Sequence, residues 1–534
     1  MRTRARGTIH NDVAHRPTVR AANGVAASGH HLATAAAIAS LREGGSAVDA
    51  AITAAAVCAV VLPKATSIGG DVFALVYAAG TGDVLAYNGS GAAARSLDPA
   101  AIGSRYPERG AVMTTVPGCV AAWADMIEAH GRLGLDRALA PAIAYADEGF
   151  AVSDVLAAAI ASDASLLSAD PECARIYMPR GRAPRAGEIL QQSDLAESLR
   201  EIARHGPDAF YRGTLAGRIV DGIEELGGAL RGEDLDAHRT DRPDPISVRY
   251  GGLDVYGQPP VSQGHVLLEE LAIVDGMELR KMGWGSADLI HTMVEAKKLA
   301  FADRDAYAGD PRAVDFHPRG LFAPEYAAAR RKGIGGRAAD RVEAGDPGVA
   351  AHTTYLTVAD RDGNVVSLIE SVFSGFGAAT IVPGTGILLN DRLRGFSLDP
   401  SSPNALAAGK RPVHTLNAVI ALDGSTPRLA FGTPGRHAQV QTNFQLGVAL
   451  IDFGLDVQAA IEAPRWYHEH GRTLRVEARF PEEVRRALGG KGHEIELLAE
   501  WDATTGGAQA IAVDANGVFA AGADPRREGV AAGY

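Results

Sequence analysis

Residues 332–352, KGIGGRAADRVEAGDPGVAAH, carry no sustained apolar period, and at Thr353 the chain passes abruptly into strand-forming sequence. The stretch that follows, TTYLTVADRDGNVVSLIESVF, is β-rich around Asp362-Gly363, the signature of a tight hairpin. A length of 534 residues, at about 150 per domain, suggests three or four domains. The linker marks one division directly, with residues 1–352 before the strand and 353–534 from it onward.

Upstream of the linker the pattern is mostly helical. Gly29 to Leu62 is alanine-rich and breaks at Glu43-Gly44-Gly45-Ser46, which predicts a buried helix pair. LPKATSIGGDVFALVYAAGTGDVLAYNG predicts a Gly-Gly loop and a hairpin. Helices are expected from Asp136 to Ser168, Ser193 to Leu230 and Val266 to Tyr307, with a loop over 169–190. Downstream, TIVPGTGILL, NAVIAL and RLAFGT read as strands, His437 to Phe453 as a helix, and AQAIAVDANGVFAAGAD as a hairpin turning at Asn516-Gly517. The 62 glycines and 27 prolines supply these turns and show no collagen-like period.

Composition excludes several classes of function. Charged residues at 22% and hydrophobic ones at 46% describe an ordinary globular chain. The net charge of −12 argues against a nucleic-acid partner. Cys58, Cys119 and Cys173 form no CxxC pair, which fits a reducing compartment. The basic N-terminus has no apolar segment behind it, and the run from Ala50 to Leu62 is too short to span a bilayer. A cytoplasmic protein without membrane contact is expected. No GxSxG, Walker or HExxH motif occurs. The pieces Gly69 to Asp71 and Gly375 to Gly377 read as turns. His30-His31 and His468-Glu469-His470 lack a full ligand set, so neither a metal nor a cofactor is expected.

Thr353 carries the chemistry. A cut before it would put a hydroxyl and a free α-amine on one residue, and an α-amine of pKa about 7.7–8.0 can act as the base. On the residues alone, Thr353-Thr354 reads first as an ordinary strand opening.

TTYLTVADRDGNVVS resembles the self-cleavage site of the γ-glutamyltransferase family, which belongs to the N-terminal-nucleophile hydrolases. REGGSAVDAAITAAAVCAVVLPKATSIGGDVFALV, TVPGCVAAW, GTGILLND, GKRP, GTPG and GLDVQAAIEAPRW are similar to further family segments, in the same order. The resemblance implies an α+β fold, a four-layer αββα sandwich. It also implies a precursor cut between His352 and Thr353 into large and small portions that stay associated as one interleaved domain, with a further dimer possible. It makes Thr353 the nucleophile and puts Ser371 in the place of a second, hydrogen-bonding threonine. The oxyanion donors become the N–H groups of Gly435 and Arg436, in Gly432-Thr433-Pro434-Gly435-Arg436-His437. Arg436 stands where the family has glycine, so either the backbone there tolerates a side chain or the hole is altered.

The substrate pocket departs further. The family's head-group arginine falls in Tyr87-Asn88-Gly89-Ser90, its asparagine is Phe373, its glutamine and aspartate are Arg392 and Gly395, and its serine pair falls at Val413, His414 and Thr415. A γ-glutamyl donor loses the ion-pair partners of its charged ends. RLRGFSLDPSSPNALAAGKRPVHT instead resembles a subgroup that includes oxamate amidohydrolase. In that reading Arg392 offers a fork to a small carboxylate, with His414, Thr415, Asn88 and Phe373 around it; otherwise Arg392 is a surface arginine. His437 points into the same pocket or caps a helix. The expectation is a self-processing threonine amidohydrolase acting on a small carboxylate-bearing amide. The alternatives are a true γ-glutamyltransferase, a biosynthetic homologue breaking a C–C bond, and an uncleaved binding homologue.

Overall fold

Near-continuous apolar runs on two sets of strands, such as DVFALVYA and VIALD, fit two sheets that bury one face against each other and the other against helices. The computed structural model describes residues 15–342 and 352–534, with His352 described by its backbone. Thirteen strands build the two large sheets: β1 (Val19–Ala21), β2 (Gly24–Ser28), β3 (Asp71–Ala78), β4 (Asp83–Gly89), β5 (Ile246–Tyr250), β6 (Leu253–Gly257), β7 (His352–Asp360), β8 (Val365–Phe373), β9 (Val419–Asp423), β10 (Thr426–Gly432), β11 (Gln509–Val513), β12 (Phe519–Ala523) and β13 (Val530–Gly533). One sheet runs β13-β2-β7-β8-β3-β4 and the other β1-β12-β11-β10-β9-β6-β5. Every neighbouring pair is antiparallel. Both sheets combine strands from before and after the linker.

Three apolar clusters mark the layers. Between the sheets lie Val25, Leu75, Ala359 and Val365 from one and Ile420, Ala430, Ile511 and Ala521 from the other. Helices α1 (His31–Arg42), α2 (Ala47–Val61), α3 (Cys119–His130), α4 (Leu135–Glu148) and α5 (Ser193–His205) cover the outer face of the six-stranded sheet. Helices α6 (Gly264–Val274), α7 (Ala287–Tyr307) and α8 (Ala438–Gly447) cover the seven-stranded one. The result is the expected αββα sandwich. Among the described residues no helix is long and apolar enough to cross a membrane.

The alanine content of α2 has a packing reason. All fifteen of its residues are buried, and small side chains let α1, α4 and the sheet approach it closely. Ser46 and Asp49 close a reciprocal capping box at its start. Asp49 also accepts from the backbone N–H groups of Arg132 (2.7 Å) and Leu133 (3.1 Å), so one carboxylate ties α2 to the turn between α3 and α4.

Two sequence expectations need correction. Residues 169–190 are not simply loop. Asp170 caps a short helix, Pro171–Tyr177, through the Cys173 N–H, and Ile189–Leu190 form a strand with Phe150–Ala151. The Asp-Pro start was the available signal. Gly69-Gly70 is also more than a turn. A Cβ at Gly69 would lie 2.3 Å from the Leu388 carbonyl oxygen, and one at Gly70 2.5 Å from that of Ser371. Glycine is required there because two backbones touch.

Replacing Asp49 tests this tie between α2 and the following turn. Asp49→Ala leaves the buried Ser46 N–H and the partly buried N–H groups of Arg132 and Leu133 without their acceptor and should cost about 3 kcal/mol in urea unfolding, whereas loss of a simple helix cap costs about 1 kcal/mol.

Candidate active site

The register of β7 on β8 sets the position of Thr353. Thr354 pairs with Glu370 and His352 with Phe373, so Thr353 faces two residues, Ser371 and Val372. This two-against-one β-bulge re-aims side chains, and it leaves Phe373 at φ +80°. Thr353 is buried, and its Oγ1 donates to Ser371 Oγ across 3.3 Å. Ser371 Oγ in turn accepts from the Phe373 N–H at 2.8 Å. The expected hydroxyl pair is therefore brought together. Arg527 Nη1 lies 3.4 Å from the Thr353 carbonyl oxygen, a contact the sequence did not suggest.

The loop after β10 supplies the next element. Gly435 has φ +134° and Arg436 φ +63°, and α8 begins two residues later. The left-handed region costs a side-chain-bearing residue about 1–2 kcal/mol. Arg436 thus occupies a glycine-type conformation, and the backbone path survives the substitution. Thr433 Oγ1 fastens the loop by accepting from the Gly507 N–H at 2.9 Å.

Arg392 is fully buried, not on the surface. Its Nε donates to Asp71 Oδ2 at 2.8 Å, and its guanidinium stands over the Phe373 ring at 4.7 Å. Nη1 and Nη2 are buried and have no hydrogen-bond partner among the described residues. Asn390 organises the neighbourhood: its Oδ1 accepts from the N–H groups of Thr115 and Arg392, both at 3.1 Å, and its Nδ2 donates to the Gly69 carbonyl at 2.9 Å. Burial pushes the Asp71 carboxyl above its ordinary range, against the opposing pull of Arg392.

His414 is buried with neither ring nitrogen partnered, its ring 5.0 Å from that of Phe73. Burial, reinforced by Arg392 and Arg411, holds it well below the usual imidazole pKa, so it is neutral at pH 7. Thr415 Oγ1 accepts from Gln439 Nε2 at 3.4 Å, and the same Nε2 lies 3.3 Å from Thr353 Oγ1. Gln439, in the first turn of α8, was missed by sequence reading. So was Asp71, which looked like the end of a glycine turn.

Two further expected residues have local partners of their own. Asn88 Oδ1 accepts from the N–H and hydroxyl of Ser90, at 3.0 and 2.6 Å, which shapes the end of β4. His437 holds the N-cap position of α8 without a side-chain cap, and its Nδ1 meets Arg304 at 3.0 Å. His30 caps α1 by accepting from the Leu32 N–H, while His468 Nδ1 meets Lys297 Nζ. Of the cleavage junction, His352 is described by its backbone in β7, and residues 343–351 lie outside the described residues.

Thr353, Ser371, Phe373, Arg392, Thr415 and Gln439 thus form one linked, buried cluster with the Thr353 hydroxyl at one end and, at the other, a guanidinium with two nitrogens unpartnered among the described residues. Comparison with known proteins gives it a setting. Residues 33–534 match the family profile described as gamma-glutamyltranspeptidase. The chain is 38% identical to the glutathione hydrolase-like YwrD proenzyme of Bacillus subtilis over 514 residues, covering 95% of this chain and 97% of that one. It is 37% identical to the oxamate amidohydrolase proenzyme of Klebsiella pneumoniae, covering 96% and 98%. The crystal structure of cephalosporin acylase from Bacillus halodurans superposes with a TM-score of 0.92 at 38% identity, covering 100% of this chain and 99% of that one.

Two measurements probe the cluster. Asp71→Ala strands a buried guanidinium and should cost about 3–5 kcal/mol in urea unfolding, whereas Asp71→Leu with Arg392→Met should cost far less. The second concerns pH. In the unfolded chain His414 takes up a proton below about pH 6.5, but the folded protein refuses it. Stability is therefore lost as pH falls from about 6.5. His414→Gln removes that loss, so its stability relative to the wild type should rise between pH 7 and 5 in parallel urea titrations.

Proposed function

The chain belongs to the γ-glutamyltranspeptidase family of N-terminal-nucleophile hydrolases, and on that premise we propose that Thr353 is its nucleophile and small carboxylate-bearing amides its substrates. The observation that carries the substrate reading is Arg392. Two of its three guanidinium nitrogens are buried without partners, in the cluster that holds the Thr353 hydroxyl. A carboxylate bound there would satisfy both in a bidentate pair. The carboxylates bound into the cluster are already engaged: Asp71 by Arg392, and Asp391 by Arg109, Arg394 and the Ser374 N–H. An α-ammonium group, as a γ-glutamyl donor carries, finds no matching anion in that set. The similarity to an oxamate amidohydrolase and a cephalosporin acylase supports amide hydrolysis on this scaffold.

The reaction sequence begins with the chain itself. Thr353 Oγ attacks the His352 carbonyl carbon, the peptide C–N bond breaks, and the resulting ester is hydrolysed by water. The products are pieces of 352 and 182 residues. They stay associated because β7 pairs with β2 from the first piece and β8 pairs with β3. In the mature site the α-amine of Thr353 takes the hydroxyl proton as Oγ attacks the substrate amide carbon. The oxyanion develops against the N–H groups of Gly435 and Arg436. The C–N bond breaks, the nitrogen leaves with the transferred proton, and water then releases the acid and restores the hydroxyl. Three buried, unpaired cysteines fit a reducing cytoplasm as the place of action.

Intact-mass analysis and steady-state assays test this reading. The wild type should separate under denaturing conditions into two fragments, and Thr353→Ala should remain one chain. Oxamate should be turned over in preference to a γ-glutamyl anilide, and Arg392→Met should lower kcat/KM for oxamate by about a hundredfold or more. Efficient γ-glutamyl anilide turnover would contradict the substrate assignment.

A further inference from the structure

Gln439 has a side chain whose two ends stand in opposite states. Its Nε2 is fully used, with Thr353 Oγ1 at 3.3 Å and Thr415 Oγ1 at 3.4 Å. Its Oε1 has no partner among the described residues, although the residue is completely buried. An unmatched buried amide oxygen is costly unless something donates to it. The contacts place that oxygen within one amide group of the nucleophile, in the same closed cluster as the unpartnered Nη1 and Nη2 of Arg392.

We propose that Gln439 is a positioning and specificity residue: Nε2 holds the Thr353 hydroxyl, and Oε1 accepts a hydrogen bond from the N–H of the scissile amide. The inference rests on the proposed role of Thr353 and deepens it by reading the leaving group. The donors of Arg392 fit a carboxylate at one end of a short substrate, and the acceptor of Gln439 fits an –NH2 or –NHR group at the other. An ester of the same acid has an oxygen there and leaves Oε1 unmatched. The substrate class narrows from acyl compounds in general to short acids with an N–H amide close to the carboxylate. Nε2 also acts before any substrate is present. Its donation to Thr353 Oγ1 stabilises the developing alkoxide during self-cleavage and draws the pH dependence of that step downward.

The test uses the full-length chain with Gln439→Leu and Gln439→Glu, oxamate and monoethyl oxalate as matched amide and ester probes, and the rate of self-cleavage against pH. Gln439→Leu should lower kcat/KM for oxamate at least about tenfold more than for monoethyl oxalate, the scale of one hydrogen bond to the reacting group. It should also shift the self-cleavage profile to higher pH. Gln439→Glu keeps an acceptor but loses the donor, so it should retain the amide preference better than Gln439→Leu while showing the same alkaline shift. Equal losses on both probes with an unshifted profile would overturn the proposal and leave Gln439 a packing residue. A wild type that cuts itself but hydrolyses neither probe refutes the substrate reading, and the self-cleavage profile of the variants then decides the role of Gln439: an alkaline shift supports it and an unchanged profile overturns it.

Discussion

One irregularity in a β-ladder governs the active-site region. Because Ser371 and Val372 together face Thr353, the hairpin is out of regular register where the second strand ends. A regular ladder would give Thr353 a single partner and send the following side chains to alternate faces. The bulge instead directs the Thr353 hydroxyl onto Ser371 and lifts Phe373 into a left-handed conformation, with its ring against Arg392. The Thr353 hydroxyl and the Arg392 guanidinium are therefore placed by the same backbone distortion.

The second determinant is electrostatic. Burying Arg392 requires a compensating anion, and Asp71 supplies it through a single Nε contact that leaves the outer nitrogens unused. Asn390 keeps this pair in place by joining the Gly69 carbonyl, Thr115 and the Arg392 backbone. The Gly-Gly contact with Leu388 and Ser371 belongs to the same assembly, since any side chain at Gly69 or Gly70 would push the two backbones apart. Neutral His414 completes the cluster without adding charge beside the cation. On the proposed reading, such a site suits a compact, singly charged acid better than a zwitterionic head group.

Much of this was legible in the sequence, and the exceptions have physical reasons. The Asp362-Gly363 and Asn516-Gly517 hairpins, the alanine-rich helix pair and the helix after GTPG follow from local patterns, because turns and periodicity are short-range properties. Thr353 and Ser371 were found through segment resemblance, which preserves order along a strand pair. Asp71 and Gln439 escaped notice because each acts on a residue far away in sequence: Asp71 on Arg392 and Gln439 on Thr353. Arg392 was expected in the pocket but left open as a surface residue, since its burial depends on that distant aspartate. Asn88 was assigned by position, yet its carbonyl is taken by Ser90, a local turn contact that position alone does not reveal.

The central claim is that the Thr353 hydroxyl forms the covalent intermediate. Acid quenching during turnover of a carboxylate-bearing amide, followed by peptide mass analysis, tests it most directly. The account predicts the acyl mass on the peptide that begins at Thr353, and no adduct in Thr353→Ser chains whose new hydroxyl has been chemically blocked. An acyl group found on any other residue, or turnover by Thr353→Ala, would contradict it.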